Sequence, residues 1–499
     1  MRPQIENVKV KCVITAVDAE SSIENLEALD DPFASISLDD LMGTIDENME
    51  TLDSSRIFGT YETYLDILLN KQKDKGRTIH GNVAVIDSYD GAIHSNTDKQ
   101  RCNVVSFSSQ IFSNSLVAGG HISTAASTNI LTWQQFIGEE KLGTLLPVLE
   151  EIFETKREIE RKVVEHGTNI KMLELHDGKM LYLLTQHSLF SRKFTPFLLC
   201  CCSRGEGARN RNHVCTQLTH EEHVHHHERS LTRFSRKSAV DSGYDRAAHM
   251  DWIDQHNRGI SHYGLSPSVF PRDRIRFDAL HMKCAITRKL MTYMRRFMLG
   301  RSQEMQDDLQ AIFLKKGFWN RYNASVWRMD KAFSILNGNE LKTFIQHIPV
   351  MNVFLRSSFP QERHITHLSS ALDIWHGVQG FLHTTKIEDP ASYPEEIQRF
   401  EDAVASFYEH GAKTFLTKNI IGDCETFYTH TLRYYLPVIA RSTFEDYQLG
   451  IGVYTMQGFE RRNKESKNTL RRFSNGKGLV LNNNVARLHD VFNYEITAV

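Results

Sequence analysis

Apolar and polar positions divide the chain into stretches of different period. NVAVIDSYDGA is apolar and β-branched to Ile86, turns acidic at Asp87 and Asp90 and reaches Gly91, which predicts a buried strand from Val83 ending in acidic residues. After the polar turn SNTDKQ, VVSFSSQIF from Val104 predicts its antiparallel partner. GTLLPVLEEIFETKREIERKVVEHG places apolar residues at helical spacing and stops at Gly167, so it predicts an amphipathic helix. IKMLELHDGKMLYLLTQ returns to strand character and again ends in an acid before glycine, here Asp177 and Gly178. PFLLCCC predicts a further buried strand, and Ile275 to Leu280 a short strand or the start of a basic amphipathic helix that continues through Met298. From Ser302 to Ile439 the spacing is helical and rich in Phe, Tyr and Trp, with Gly338, Pro349, Pro360 and Pro390 as breakers.

These periods predict an α/β protein whose mixed sheet is interrupted by a large all-helical insertion. Residues 1–77 form an acidic segment short of aromatics, partly disordered, with one helix from Thr60 to Leu69. Residues 78–284 make the first part of the core, 285–445 the insertion, and 446–499 a C-terminal helical part of the core.

Composition narrows the partners. With 499 residues and 40% hydrophobic content the chain is an ordinary globular one, and 59 Lys and Arg against 61 Asp and Glu leave no global field for nucleic acid or an anionic membrane. Any nucleic-acid surface is therefore local. Apolar runs such as Phe197 to Cys202 are too short to span a bilayer and the N-terminus has no apolar h-region, so the expectation is a soluble intracellular chain without membrane contact. The 8 cysteines include the adjacent Cys200, Cys201 and Cys202, which suits reduced thiols or a metal site better than a disulfide framework.

Candidate chemistry centres on carboxylates. Within GIGVYTMQGFERRNKESKNTLRRF, Glu460 enters a helix carrying Arg461, Arg462, Lys464, Lys467, Arg471 and Arg472. Such an acid can hold one side of a divalent cation while the basic residues neutralise phosphates. Asp177 and Asp90 at strand ends would complete a set for two cations about 4 Å apart. Asp87 is the alternative first acid, although it points to the other face if the strand continues. Glu465 competes with Glu460 but lies about one and a half turns further on. The plain alternative is that these acids cap loops beside a solvated basic helix. Cys200 and Cys202, with His213, Cys215 or a distant His, suit zinc, against a strand of small apolar thiols. His223, His225, His226 and His227 fit an exposed turn or helix.

Taken in order, these stretches resemble the DDE transposases of RNase H-like fold, most closely the Transib type and the catalytic subunit of the V(D)J recombinase. The resemblance runs from Asn82 to Phe473. It rests on Asp90 in SYDGA, Asp177 ahead of the cysteine stretch, Asp278 and His281 in GLSPSVFPRDRIRFDALH, and Glu460, Asn463 and Lys464 followed by Arg471, Arg472 and Phe473. It implies a nuclear enzyme that cleaves and transfers DNA strands with Mg²⁺ or Mn²⁺ held by Asp90, Asp177 and Glu460. Asp278 and His281 would organise DNA near the scissile phosphate, Arg461, Arg462, Lys464, Arg471 and Arg472 would contact its backbone, and a second copy of the chain is an implied partner. A transposon-derived binding protein without catalysis, or a helical scaffold, are the other readings. Two departures stand out. The family's zinc site pairs two Cys with two His, whereas HTLRYYLP keeps His430 but has Tyr435 at the second position, leaving Cys200, Cys202 and His430 as the zinc candidates. The family's N-terminal DNA-reading module has no counterpart, since the acidic segment is neither basic nor spaced for zinc.

Overall fold

A computed structural model describes residues 56–58, 69–70, 72, 74–77, 79, 81–97, 100–137, 141–165, 170–187, 197–203, 213–240, 245–299, 301–315, 338–414 and 426–473. The helix expected from Thr60 lies outside these residues except for its end at Leu69, as does nearly all of the acidic segment.

The sheet grows from one long hairpin. Strands β1 (Arg56–Phe58), β2 (Val83–Thr97), β3 (Gln100–Ser113), β4 (Leu131–Ile137), β5 (Ile170–His176) and β6 (Ile275–Phe277) lie in the order β1-β4-β3-β2-β5-β6. The hairpin and β4 run antiparallel, whereas β5 joins β2, and β6 joins β5, in parallel. A parallel neighbour needs a crossover, and helix α1 (Leu142–Glu165) supplies it between β4 and β5. Its Leu145, Leu149, Ile152 and Phe153 are buried with the apolar residues of the sheet.

Lys156 follows on the same helix, and it is buried too. Its Nζ lies 2.5 Å from Asp87 on β2 and 2.7 Å from Glu174 on β5, and donates to the Tyr89 hydroxyl at 2.7 Å. Ser109 Oγ also donates to Asp87, and His176 Nε2 lies 2.9 Å from Glu174. Burial pushes both carboxyls upward; at Glu174 the pull of Lys156 and His176 outweighs it, while Asp87 stays raised.

Where the ladder would continue, the Tyr89 amide donates instead to His176 Nδ1 at 3.2 Å, so β2 parts from β5 there. It does not stop at Gly91 as the sequence suggests; paired with β3 it runs on to Thr97.

Beyond β6 the described residues contain helices and turns but no strand. Helices α2 (Gly178–Thr185), α3 (His220–Val240) and α4 (Arg246–His256) precede β6, and α5 (Ala279–Leu299), α6 (Gln303–Lys315), α7 (Gly338–Ser358), α8 (Arg363–Gly377), α9 (Tyr393–Thr414), α10 (Leu436–Tyr447) and α11 (Gln457–Phe473) follow it. The helical spacing from Ser302 to Ile439 is thus realised mostly as helix among the described residues, with residues 384–392 as the longest described connection. The boundary expected at 284/285 falls inside α5, an unbroken helix rooted on the sheet edge. PFLLCCC is not a strand either. Residues 197–203 make a single bridge, Cys200 to Gln217, and the Leu199 backbone is taken by Leu218 N and the Tyr435 hydroxyl. No helix among the described residues is long and apolar enough to cross a membrane.

Replacing Lys156 by Met should cost about 3–5 kcal/mol in chemical denaturation, because it strands two buried carboxylates. Arg441→Ala, which breaks a half-exposed pair with Glu401, should cost within about 1 kcal/mol.

Candidate active site and metal centre

Register brings the aspartates level. Asp87 pairs with Glu174, and Glu174 with Ile275, across the parallel strands β2, β5 and β6. Three residues further along each chain stand Asp90, Asp177 and Asp278. Because β2 continues, the odd step from Asp87 turns Asp90 to the opposite face, away from Lys156. Asp87 is fully buried in that other network, which removes it as an alternative first ligand.

The other two aspartates are held as helix caps. Asp177 accepts from Met180 N at 2.7 Å and opens helix α2 (Gly178–Thr185). Asp278 accepts from Leu280 N at 3.0 Å and His281 N at 2.7 Å at the start of α5. It also accepts from Met456 N at 2.8 Å, which pins the segment ahead of α11 to the end of β6.

Docked in this way, α11 turns Glu460 and Asn463 toward the sheet. Asn463 Nδ2 donates to Asp90 at 2.5 Å, and Glu460 lies 3.4 Å from His281 Nε2. His281 Nδ1 is 2.5 Å from Asp278. The helix sits close to the turn Ser127–Asn129: a Cβ on Gly458 would fall 2.9 Å from the Thr124 carbonyl oxygen. On that side Glu465 accepts from Ser127 Oγ at 2.9 Å, so it faces away from the patch that Glu460 joins.

Charge couples these groups. Burial would lower His281, but the hydrogen bond and charge of Asp278, with Asp177 and Glu460, outweigh it and raise the imidazole to about 10. Burial and the nearby Asp278 and Asp177 raise Glu460 despite His281. Asp278 is raised by burial yet ends below its ordinary value through His281 and the backbone amides. An imidazolium thus lies among the carboxylates. Asp90, Asp177 and Glu460 remain partly or fully accessible to solvent. Their oxygens are the hard donors that Mg²⁺ or Mn²⁺ takes.

Of the basic residues, Arg461 and Lys464 are exposed. Arg462 is not; it shares the inward stripe of α11 with Phe459, Asn463 and Ser466, so it is withdrawn as a surface phosphate contact. Helix α11 includes Arg471 and Arg472, whose side chains lie outside the described residues, as does that of Lys467.

A second centre is more compact. Among the described residues, the group of three or more metal-type donors whose atoms all lie within 4.8 Å of one another is Cys200, Cys202, Cys215 and His430, and it could hold a metal ion. Three thiols and one imidazole match a closed tetrahedral zinc site. His430 Nε2 stands 3.3 Å from Cys200 Sγ and 3.7 Å from Cys215 Sγ, while its ring stacks on Phe197.

The π-helical turn Thr431–Tyr435 explains the part of Tyr435. Its i→i+5 bonding brings residues five apart onto one side, so Tyr435 joins His430 at Cys200 and donates to that sulfur at 3.0 Å. Tyr435 thus supports a donor, and Cys215 supplies the fourth. His213 lies 3.2 Å from Cys202 Sγ, outside the set of four.

The chain matches no protein-family model, and no curated protein matches it.

Zinc content should be about one ion per chain for a site of this type. Elemental analysis after gel filtration should show it lost in Cys215→Ser and kept in His213→Ala; equal retention in both would remove Cys215 from the ligand set.

Proposed function

We propose that the chain is a DNA-cleaving and strand-transferring enzyme with an RNase H-like core, of the DDE transposase type that its sequence resembles. The observation that carries the reading is that Asp90, Asp177 and Glu460, from three distant stretches, lie at one accessible patch, with His281 and the buried Asp278 beside Glu460. A strand hairpin that presents Asp90 beside a parallel strand presenting Asp177 also supports the fold assignment.

In this reading Asp90, Asp177 and Glu460 hold Mg²⁺ or Mn²⁺, which when bound supplies activation of the attacking oxygen and stabilisation of the leaving one. Asn463 orients Asp90. Asp278 fixes the approach of α11 through Met456 N and keeps His281 charged. His281 offers a donor toward Glu460 and the space beside it, where a scissile phosphate would need positive charge. Arg461 and Lys464 face solvent on the same helix and would bind phosphates without choosing sequence. The cysteine centre supplies none of this chemistry. Its place is structural, joining Cys200, Cys202 and Cys215 to His430 beside the π-turn.

Glu460→Gln should abolish Mg²⁺-dependent nicking of plasmid or end-labelled DNA while leaving binding within about twofold, because the amide keeps the shape but loses the charge that holds the ion. Glu465→Gln should cut normally. Activity in both would exclude a cleavage site on this helix, and binding without cutting by the unaltered chain would favour the non-catalytic descendant.

Phosphate contact has its own signature. Arg461→Ala with Lys464→Ala should weaken binding evenly across DNA sequences and reduce the slope of log affinity against log salt by about 2. An unchanged slope would place the DNA on another face.

A further inference from the structure

Away from the acidic patch, at the opposite end of β6, a cation lies buried with nothing among the described residues to balance it. The 3₁₀ turn Arg272–Arg274 packs against helix His220–Val240, which presents His223 and His227 four residues apart on one face. Arg272 is 1% exposed, and its Nε and both Nη atoms have no hydrogen-bond partner. His223 is 2% exposed, and neither ring nitrogen has a partner. His227 bonds the Gly264 backbone, leaving its Nε2 without a partner.

The three side chains are electrostatic neighbours. The Arg272 charge pushes down both imidazoles, after burial, and holds them neutral; His223 falls to about 2. Among the described residues nothing acidic acts on Arg272 itself, which burial brings to about 10, so it stays charged at neutral pH. A guanidinium with every donor unmet in a closed interior is costly, and native proteins normally give such groups a counter-charge.

We propose that Arg272, His223 and His227 form an internal binding site for inorganic phosphate. Arg272 provides the charge and the forked donors that suit an oxyanion. The imidazoles select which one. Since His227 gives its Nδ1 proton to the Gly264 carbonyl, its Nε2 is a lone pair. Phosphate at neutral pH carries an O–H to donate to that lone pair as well as oxygens to accept from Arg272, whereas sulfate has no proton to give. Arg272 and His223 are too deeply buried for a polymer to reach, so the ligand is the free ion and not a nucleic-acid backbone. The bound ion would tie the start of the His-rich helix to the strand that ends in Asp278.

The test uses the full chain, purified in phosphate-free chloride buffer. Equilibrium dialysis with radiolabelled inorganic phosphate should find one ion per chain. Thermal unfolding should rise with the logarithm of phosphate concentration, more than with sulfate or chloride at matched ionic strength. Arg272→Met should weaken phosphate binding by roughly tenfold or more and should unfold at a higher temperature than the unaltered chain in phosphate-free buffer, since the uncompensated charge is gone. His227→Phe should narrow the preference for phosphate over sulfate. Absence of stoichiometric phosphate in the unaltered chain overturns the proposal even if Arg272→Met fails to fold, and so does an undiminished phosphate response in Arg272→Met. Equal stabilisation by sulfate would overturn the selectivity assigned to the imidazoles.

Discussion

The ammonium of Lys156, sealed between Asp87 and Glu174, is the contact on which the arrangement of the sheet depends. A one-residue slip of β5 against β2 would turn every side chain of that strand to the other face and leave one of the two acids buried without its cation. An apolar interface would tolerate such slippage better, since oil-like contacts carry no direction. The buried ion pair therefore specifies register, whatever its net effect on stability. Register is what sets Asp90, Asp177 and Asp278 level, three steps beyond that pair. Tyr89 and His176 add the second half of the device by ending the parallel ladder just short of the acids.

The two faces of the sheet have opposite electrostatic design. On the α1 face, carboxylates are dry and matched to a fixed cation. On the other, Asp90, Asp177 and Glu460 are open to solvent, with His281 beside Glu460 and an amide from Asn463 on Asp90. Asp87 and Asp90 show how little sequence distance such a division requires. Carboxylates satisfied by a permanent lysine have no capacity left for a metal ion, whereas those opposed by a weaker, displaceable partner keep it.

What was legible in the sequence was local. A strand-like apolar run followed by an acid and glycine marked Asp90 and Asp177, the DALH stretch marked Asp278 and His281, and Glu460 stood out because basic residues followed it. Helical spacing after Ser302 was legible because apolar residues at intervals of three and four cannot be mistaken for alternation. Strand β4 went unread: its ladder to β3 contains an irregularity, and LTWQQFI does not alternate cleanly. The cysteine stretch read as a strand because short apolar runs have no period of their own. Arg462 illustrates the limit of counting charges, since a helix hides one face whatever residues occupy it. Cys215 and the partnerless Arg272 depend on chain segments meeting in space, and no spacing announces that. His223 was concealed by its neighbours, because a run of histidines looks uniformly polar until one of them is found facing inward.

The hydrogen bond from Met456 to Asp278 spans 178 residues, and that from Asn463 to Asp90 spans 373. Contacts so distant in sequence form late, after the intervening chain has collapsed and the loop entropy has been met. During synthesis the three aspartates therefore exist first as ordinary strand-end acids, and Glu460 reaches them only when nearly all of the described chain has been made. Any chemistry that needs all of them would be withheld from the nascent chain until the last described helix has docked on the sheet.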